Sequence, residues 1–132
     1  MSDLTQKAEQ FRALHIPGTP LVLPSGCRAM AMVLRDGFTA REEGFCDRAY
    51  RDDGGLVPRT EPGAVLTDPE EAARQALSLA RSAVATADAS ILTLWVDTLC
   101  IHGDSPGAVA IATAVRRVLT EARIGLAAPA SA

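Results

Sequence analysis

Residues 97–107 constrain the fold more than any other stretch, because an apolar run there closes on His102 and Asp104 directly before a helix start. Residues 99–101 read as a buried strand, and Ser105 with Pro106 supplies an N-cap and a first-turn proline for the apolar-periodic segment 108–119. A strand that passes through a short polar turn into a helix belongs to an α/β architecture, where ligands bind outside the carboxyl ends of the strands. The unpaired N–H groups of the following helix then offer a place for an anion. His102 and Asp104 are the first candidates for chemistry.

The same alternation runs through the rest of the chain. Leu4, Ala8, Phe11 and Leu14 recur at helical spacing until Pro17-Gly18, which predicts a helix over residues 2–15. A short strand over 20–24, a helix over 29–34 ended by Asp36-Gly37, and a strand over 38–45 follow. Asp68-Pro69-Glu70-Glu71 then opens a helix with a capping acid, a first-turn proline and two acids at the positive dipole end; Ala72, Ala76, Leu79 and Ala80 form its apolar face. Segments 84–86 and 91–95 flank Ala87-Asp88-Ala89-Ser90 as a hairpin, and residues 126–132 read as a frayed tail. The pattern predicts a mainly parallel sheet with flanking helices and about four strands outside the hairpin, short of the eight that close a barrel. Between the second strand and the capped helix, residues 46–62 form a long charged loop with Gly54-Gly55 and two prolines, a length that compact domains keep for function. This loop, expected to be mobile without a ligand, is the second candidate region.

Composition removes several function classes. With 13 Lys and Arg against 16 Asp and Glu, and one Trp, one Tyr and three Phe, the chain offers neither a basic patch nor a stacking surface for nucleic acid. No apolar run approaches the roughly 20 residues that span a bilayer, and the first residues lack signal-peptide character, so a cytoplasmic location is expected. Cys27, Cys46 and Cys100 show no CxxC spacing and read as reduced thiols, Cys100 as packing inside an apolar strand. No His, Cys or acid pattern has metal-ligand spacing, so no metal is predicted; Gly54-Gly55 lacks the lysine and helix of a phosphate loop. His15, on a helix that ends at Pro17, is expected to meet the C-terminal carbonyls.

Three ordered motifs then resemble one family. Glu43-Gly44-Phe45-Cys46-Asp47-Arg48-Ala49-Tyr50, Gly55-Leu56-Val57-Pro58-Arg59-Thr60-Glu61-Pro62-Gly63-Ala64 and the 97–109 segment look like the C-terminal half of the LamB/YcsF family, the A subunits of 5-oxoprolinase. The resemblance implies a partial distorted (βα) barrel, cytoplasmic ATP-dependent opening of 5-oxoproline to glutamate, and two partners, subunits B and C, through which ATP would be supplied. Family members also carry an Asn-Ala-Asp-Leu-Gly-Glu opening, a Cys-Gly-Phe-His-Ala-Gly-Asp segment and a His-Pro-Gly segment, none of which occurs here. Residues 1–24 instead look somewhat like the start of the isocitrate lyase/phosphoenolpyruvate mutase family. The expected organisation is an atypical start over 1–24, a LamB/YcsF-like barrel portion over 25–125 and a tail over 126–132, a truncated or rearranged chain.

Candidate roles follow from this resemblance and from side-chain chemistry. An imidazole exchanges protons near neutrality, as lactam opening requires at the leaving nitrogen, so His102 and Asp104 are candidate catalytic groups, with Glu43 as a general acid/base. Asp104 reads equally as a helix cap or Asx-turn residue, and Glu43 as the edge of a sheet. Asp47, Arg48, Tyr50 and Arg59 are candidate substrate-binding residues, since a guanidinium grips a carboxylate bidentately; otherwise the charges form a loop ion-pair network and Tyr50 covers the loop. The other readings are a non-catalytic module that covers its sheet edges by forming a homo-oligomer, and an inactive fragment.

Overall fold

The computed structural model describes residues 3–16 and 18–128. Its elements are α1 (Asp3–Leu14), β1 (Leu21–Pro24), α2 (Arg28–Arg35), β2 (Ala40–Phe45), α3 (Pro69–Ala80), β3 (Ala83–Ala85), β4 (Ile91–Thr93), β5 (Thr98–Cys100) and α4 (Ala108–Glu121). The expected α/β alternation is present. Strands β1, β2 and β5 form an open parallel sheet in that order, so among the described residues three strands, not four, stand outside the hairpin. The antiparallel pair β3 and β4 is the predicted hairpin.

Helix α3 begins as its residues dictate. Asp68 accepts a hydrogen bond from the Glu70 N–H at 3.1 Å, Pro69 occupies the first turn, and Ala72, Ala73, Ala76 and Leu79 are buried. Ala73 takes the place expected for Ala80, which is exposed. The small alanines let α3 lie close against α4, whose Ile111, Ala114, Val115 and Leu119 complete the core together with Cys46. A second cluster joins Leu79 to Tyr50, Val84 and Leu94, and ties the hairpin to the helix layer.

Only one face of the sheet meets those helices. A Cβ on Gly44 would lie 2.8 Å from Val96 and 3.2 Å from Leu79, so this face of β2 presses on α3. Leu99, the register partner of Gly44, packs into the same core. Side chains alternate along a strand, so Glu43, Phe45, Thr98 and Cys100 share the opposite face. All three residues of β5 are half-buried, not the fully buried strand expected.

Two local expectations are corrected. Helix α4 starts from Gly107 at φ +82°, with no side-chain cap: residues 104–107 turn on a Ser105 carbonyl that accepts from the Ala108 N–H, so Ser105 and Pro106 precede the helix. The ring of His15 meets the edge of Phe38, with centroids 4.7 Å apart, and it is the backbone N–H of His15 that reaches the Arg12 carbonyl. Of the apolar face proposed for α1, Leu14 is exposed, while the side chains of Leu4, Ala8 and Phe11 lie outside the described residues, as do 129–132 of the tail.

Candidate functional site

Asp47 and His102 each lie two residues beyond the carboxyl ends of adjacent parallel strands, β2 and β5. The pairing of those strands continues past their ends: the Cys46 N–H donates to the Cys100 carbonyl, and the His102 N–H then donates to Asp47 Oδ2 at 2.9 Å. The second carboxylate oxygen, Oδ1, is 2.9 Å from His102 Nδ1. Asp47 is 1% exposed and acceptor-only when ionised, so the imidazole must present its Nδ1–H to it. That leaves Nε2 with its lone pair on a ring whose side chain is 24% exposed. The ring of Phe45 stacks on the imidazole at 5.7 Å and 15°, limiting its rotation. The partner of His102 is therefore Asp47, expected as a substrate ligand, while Asp104 is exposed on the turn that follows.

Beside Phe45 a cavity of about 280 Å³ opens at the ends of β1 and β2. Ser25, Glu43, Phe45, Tyr50 and Leu56 line it. Tyr50 is buried; its hydroxyl accepts from the Phe45 N–H at 2.8 Å, and its own proton has no acceptor among the described residues. Burial, reinforced by Cys46, Cys100 and Glu43 against the opposing Phe45 hydrogen bond, pushes the Tyr50 phenol up to about 12. It is a donor at neutral pH. Cys46 lies beneath the same strand end, and burial with the neighbouring Asp47 charge raises its thiol to about 12. Burial likewise raises the Cys100 thiol, consistent with a packing role.

The loop is closed on itself. Ala49 donates to the Ala64 carbonyl, Val57 to that of Ala49, Arg51 to that of Gly55 and Leu66 to that of Asp47, and Tyr50 bridges to Thr86 of the hairpin. Arg48 turns inward, donating from Nη2 to the Val57 carbonyl at 2.7 Å and from Nε to the Ala64 carbonyl at 3.2 Å. Burial and the positive charge of Arg59 lower its pKa, opposed by Asp47. Arg51 pairs with Glu61 at the surface. Arg59 is exposed and has no ion-pair partner among the described residues. The structure thus gathers Asp47, His102, Glu43 and Tyr50 around Phe45, places Arg48 in the loop framework, and leaves Arg59 and Asp104 on exposed turns.

The Gly54-Gly55 turn does not make a nucleotide cradle. The Gly55 N–H is taken by Asp53 Oδ1 at 2.8 Å and the Gly55 carbonyl by the Arg51 N–H, so this glycine pair closes a turn. Among the described residues no three His, Cys, Asp or Glu side chains gather to hold a metal ion, and no helix is long and apolar enough to cross a membrane.

A residue missed by the sequence reading supports the site from below. Gln75 of α3 sends its side-chain amide to the backbone that carries Asp47. A polar residue beside the apolar stripe of a helix was the available signal, but its target lies some 30 residues away.

Comparison with known proteins adds the lineage. The LamB/YcsF family model matches residues 3–132, a span that includes the segment expected to be an atypical start. The A subunit of 5-oxoprolinase from Mycobacterium avium is 46% identical over 118 residues, which cover 89% of this chain and 46% of that protein. Its counterpart from Streptomyces griseus is 45% identical over 109 residues, 81% of this chain and 44% of its own length. A crystal structure of a lactam utilization protein from Thermus thermophilus superposes with a TM-score of 0.75 at 39% identity, covering 91% of this chain and 45% of that one. The chain spans about half the length of the curated relatives it matches. With a family model over nearly its whole length and a relative's fold reproduced, this chain belongs to the LamB/YcsF family.

Proposed function

We propose that this chain provides the proton-handling part of the A component of a 5-oxoprolinase, acting in the ATP-dependent opening of 5-oxoproline to glutamate. The observation that carries the reading is the double hydrogen bond from His102 to buried Asp47, which leaves Nε2 as a base at the carboxyl end of a parallel sheet. In lactam opening the C–N bond breaks and the leaving nitrogen takes a proton; His102 Nε2 carries it, having received it from the attacking water. Asp104, exposed two residues further on, joins His102 in the shuttling of that proton. Tyr50 donates its free O–H to a substrate oxygen, and Glu43 serves as the second general acid/base in the same cavity. Arg59, rather than the internally bonded Arg48, holds the substrate carboxylate. ATP is bound by subunits B and C, since the glycine turn here has its donors engaged, and use of ATP fits a cytoplasmic site of action.

The relatives carry the name of one lettered component of 5-oxoprolinase, which supports a multi-subunit assembly. The test is a coupled assay for ATP-dependent glutamate release with subunits B and C, with and without the N-terminal half of a relative. Glutamate release that disappears in His102→Gln is expected; absence of glutamate in every combination overturns the proposal.

A second reading is favoured by the open edges of the sheet, β1 and β5, and by exposed Val22, Ile91 and Trp95: a module that covers these surfaces by self-association. A monomer by light scattering at high concentration removes it.

A further inference from the structure

Four carbonyls, from Phe45 to Arg48, lie where the chain leaves β2 and turns to present Asp47. The Asp47 carbonyl accepts from the Leu66 N–H. The other three meet one side chain: Gln75 Nε2 lies 2.7 Å from the Phe45 carbonyl, 2.6 Å from that of Arg48 and 3.3 Å from that of Cys46. A primary amide has two protons, so the short contacts are one bond each and the Cys46 contact shares one of them.

The arm that brings this amide is anchored elsewhere. Helix α3 is capped by Asp68 and packed against α4 through Ala72, Ala73 and Ala76, anchors additional to its contact with Cys46 at the strand end. Gln75 therefore transfers the position of a fixed helix to the backbone on both sides of Asp47. Two hydrogen bonds from His102 demand that both oxygens of that carboxylate be in register with the residue at the end of β5. A shift of well under 1 Å lengthens a 2.9 Å bond beyond useful range.

We infer that Gln75 is a positioning residue: by holding the Phe45, Cys46 and Arg48 carbonyls it sets Asp47 against His102 and thereby fixes the imidazole as the Nδ1–H tautomer. This rests on the Asp47–His102 pair as the proton-handling unit, but not on the identity of the substrate.

The readout is the ring itself. The chain has two histidines, His15 and His102, so long-range proton–nitrogen NMR assigns their tautomers directly. The parent should show neutral His102 predominantly as the Nδ1–H form. In Gln75→Met, which keeps side-chain length and removes both donors, most of the neutral ring should pass to the Nε2–H form while circular dichroism stays native. Gln75→Glu, whose carboxylate faces the same oxygens, should also lose the Nδ1–H form. Retention of that form in either folded Gln75 variant overturns the proposal. In the parent, the Gln75 side-chain amide protons should exchange far more slowly than a free amide; exchange at the free rate overturns it without any variant. Because none of these measurements uses 5-oxoproline, they fail or succeed separately from the assigned activity.

Discussion

The carboxylate of Asp47 is shared by two groups of one residue, the backbone N–H and the ring Nδ1 of His102, each at 2.9 Å and 55 positions away in the chain. The backbone bond fixes where the histidine begins, and the ring bond fixes where its side chain ends. Together they resemble the base-and-orienter pairs of acid–base sites, where a carboxylate selects the tautomer.

Asp47→Asn keeps the shape but places an amide donor opposite Nδ1, so the ring turns to the wrong tautomer. Glutamate release by the assembled enzyme should fall by about 10²–10⁴-fold, the scale of general acid–base contributions. Asp47→Ala leaves the His102 N–H without its partner in a part-buried place and should cost about 1–3 kcal/mol in urea unfolding. Unchanged turnover in Asp47→Asn removes the pair from the mechanism.

The two arginines of the loop should separate cleanly. Arg48→Ala strips donors from the Val57 and Ala64 carbonyls and should destabilise the fold by about 1.5–3 kcal/mol. Arg59→Ala should change stability by less than about 0.5 kcal/mol, as exposed loop positions do. The same Arg59→Ala change should weaken 5-oxoproline binding by about 1.5–3 kcal/mol in titration calorimetry, if a charge-assisted contact is lost. Equal affinity in parent and variant assigns Arg59 to the surface alone.

Stability should decline on the alkaline side. Cys46 and Tyr50 start from ordinary values of 9.0 and 10.0, and the fold holds both protons to about 12. Above about pH 9 the unfolded chain therefore binds fewer protons than the folded one, and unfolding becomes more favourable as pH rises, until the folded groups also ionise near 12. Below that window the two groups contribute no slope. Urea midpoints taken upward from about pH 8 should fall in the parent and fall less steeply in Cys46→Ala and Tyr50→Phe. A parent curve that is flat over this range contradicts the burial assigned to these groups.

Gly44→Ala tests the contact between sheet and helix. The added methyl would sit 2.8 Å from a branch of Val96, a stiff side chain, and 3.2 Å from Leu79. Overpacking of this kind costs about 1–3 kcal/mol, read as a lower urea midpoint with an unchanged slope. A neutral Gly44→Ala means that β2 and α3 are further apart than described.

Short-range grammar determined what could be read directly from residue order. Asp68-Pro69 starts α3 because the cap and the missing proline N–H act within one turn; the strand–helix alternation and the hairpin around residues 87–90 likewise depend on neighbours only. His102 and Glu43 were recognisable as candidate residues near strand ends and Asp47 and Tyr50 as candidates in the loop, and the motifs pointed to the LamB/YcsF family. Tertiary structure alone decided who meets whom. Pairing Asp47 with His102 required β2 and β5 to become neighbours, sending Arg48 inward required the loop to fold back on Val57 and Ala64, and giving Gln75 its task required α3 to pass beneath the end of β2. Those contacts are hydrogen bonds across long loops, and their geometry is set by the packing of alanines between α3 and α4, which residue order does not express. Even the start of α4 shows the same division: Ser105 and Pro106 carry the signature of a helix entry, but a left-handed turn at Gly107 takes that place.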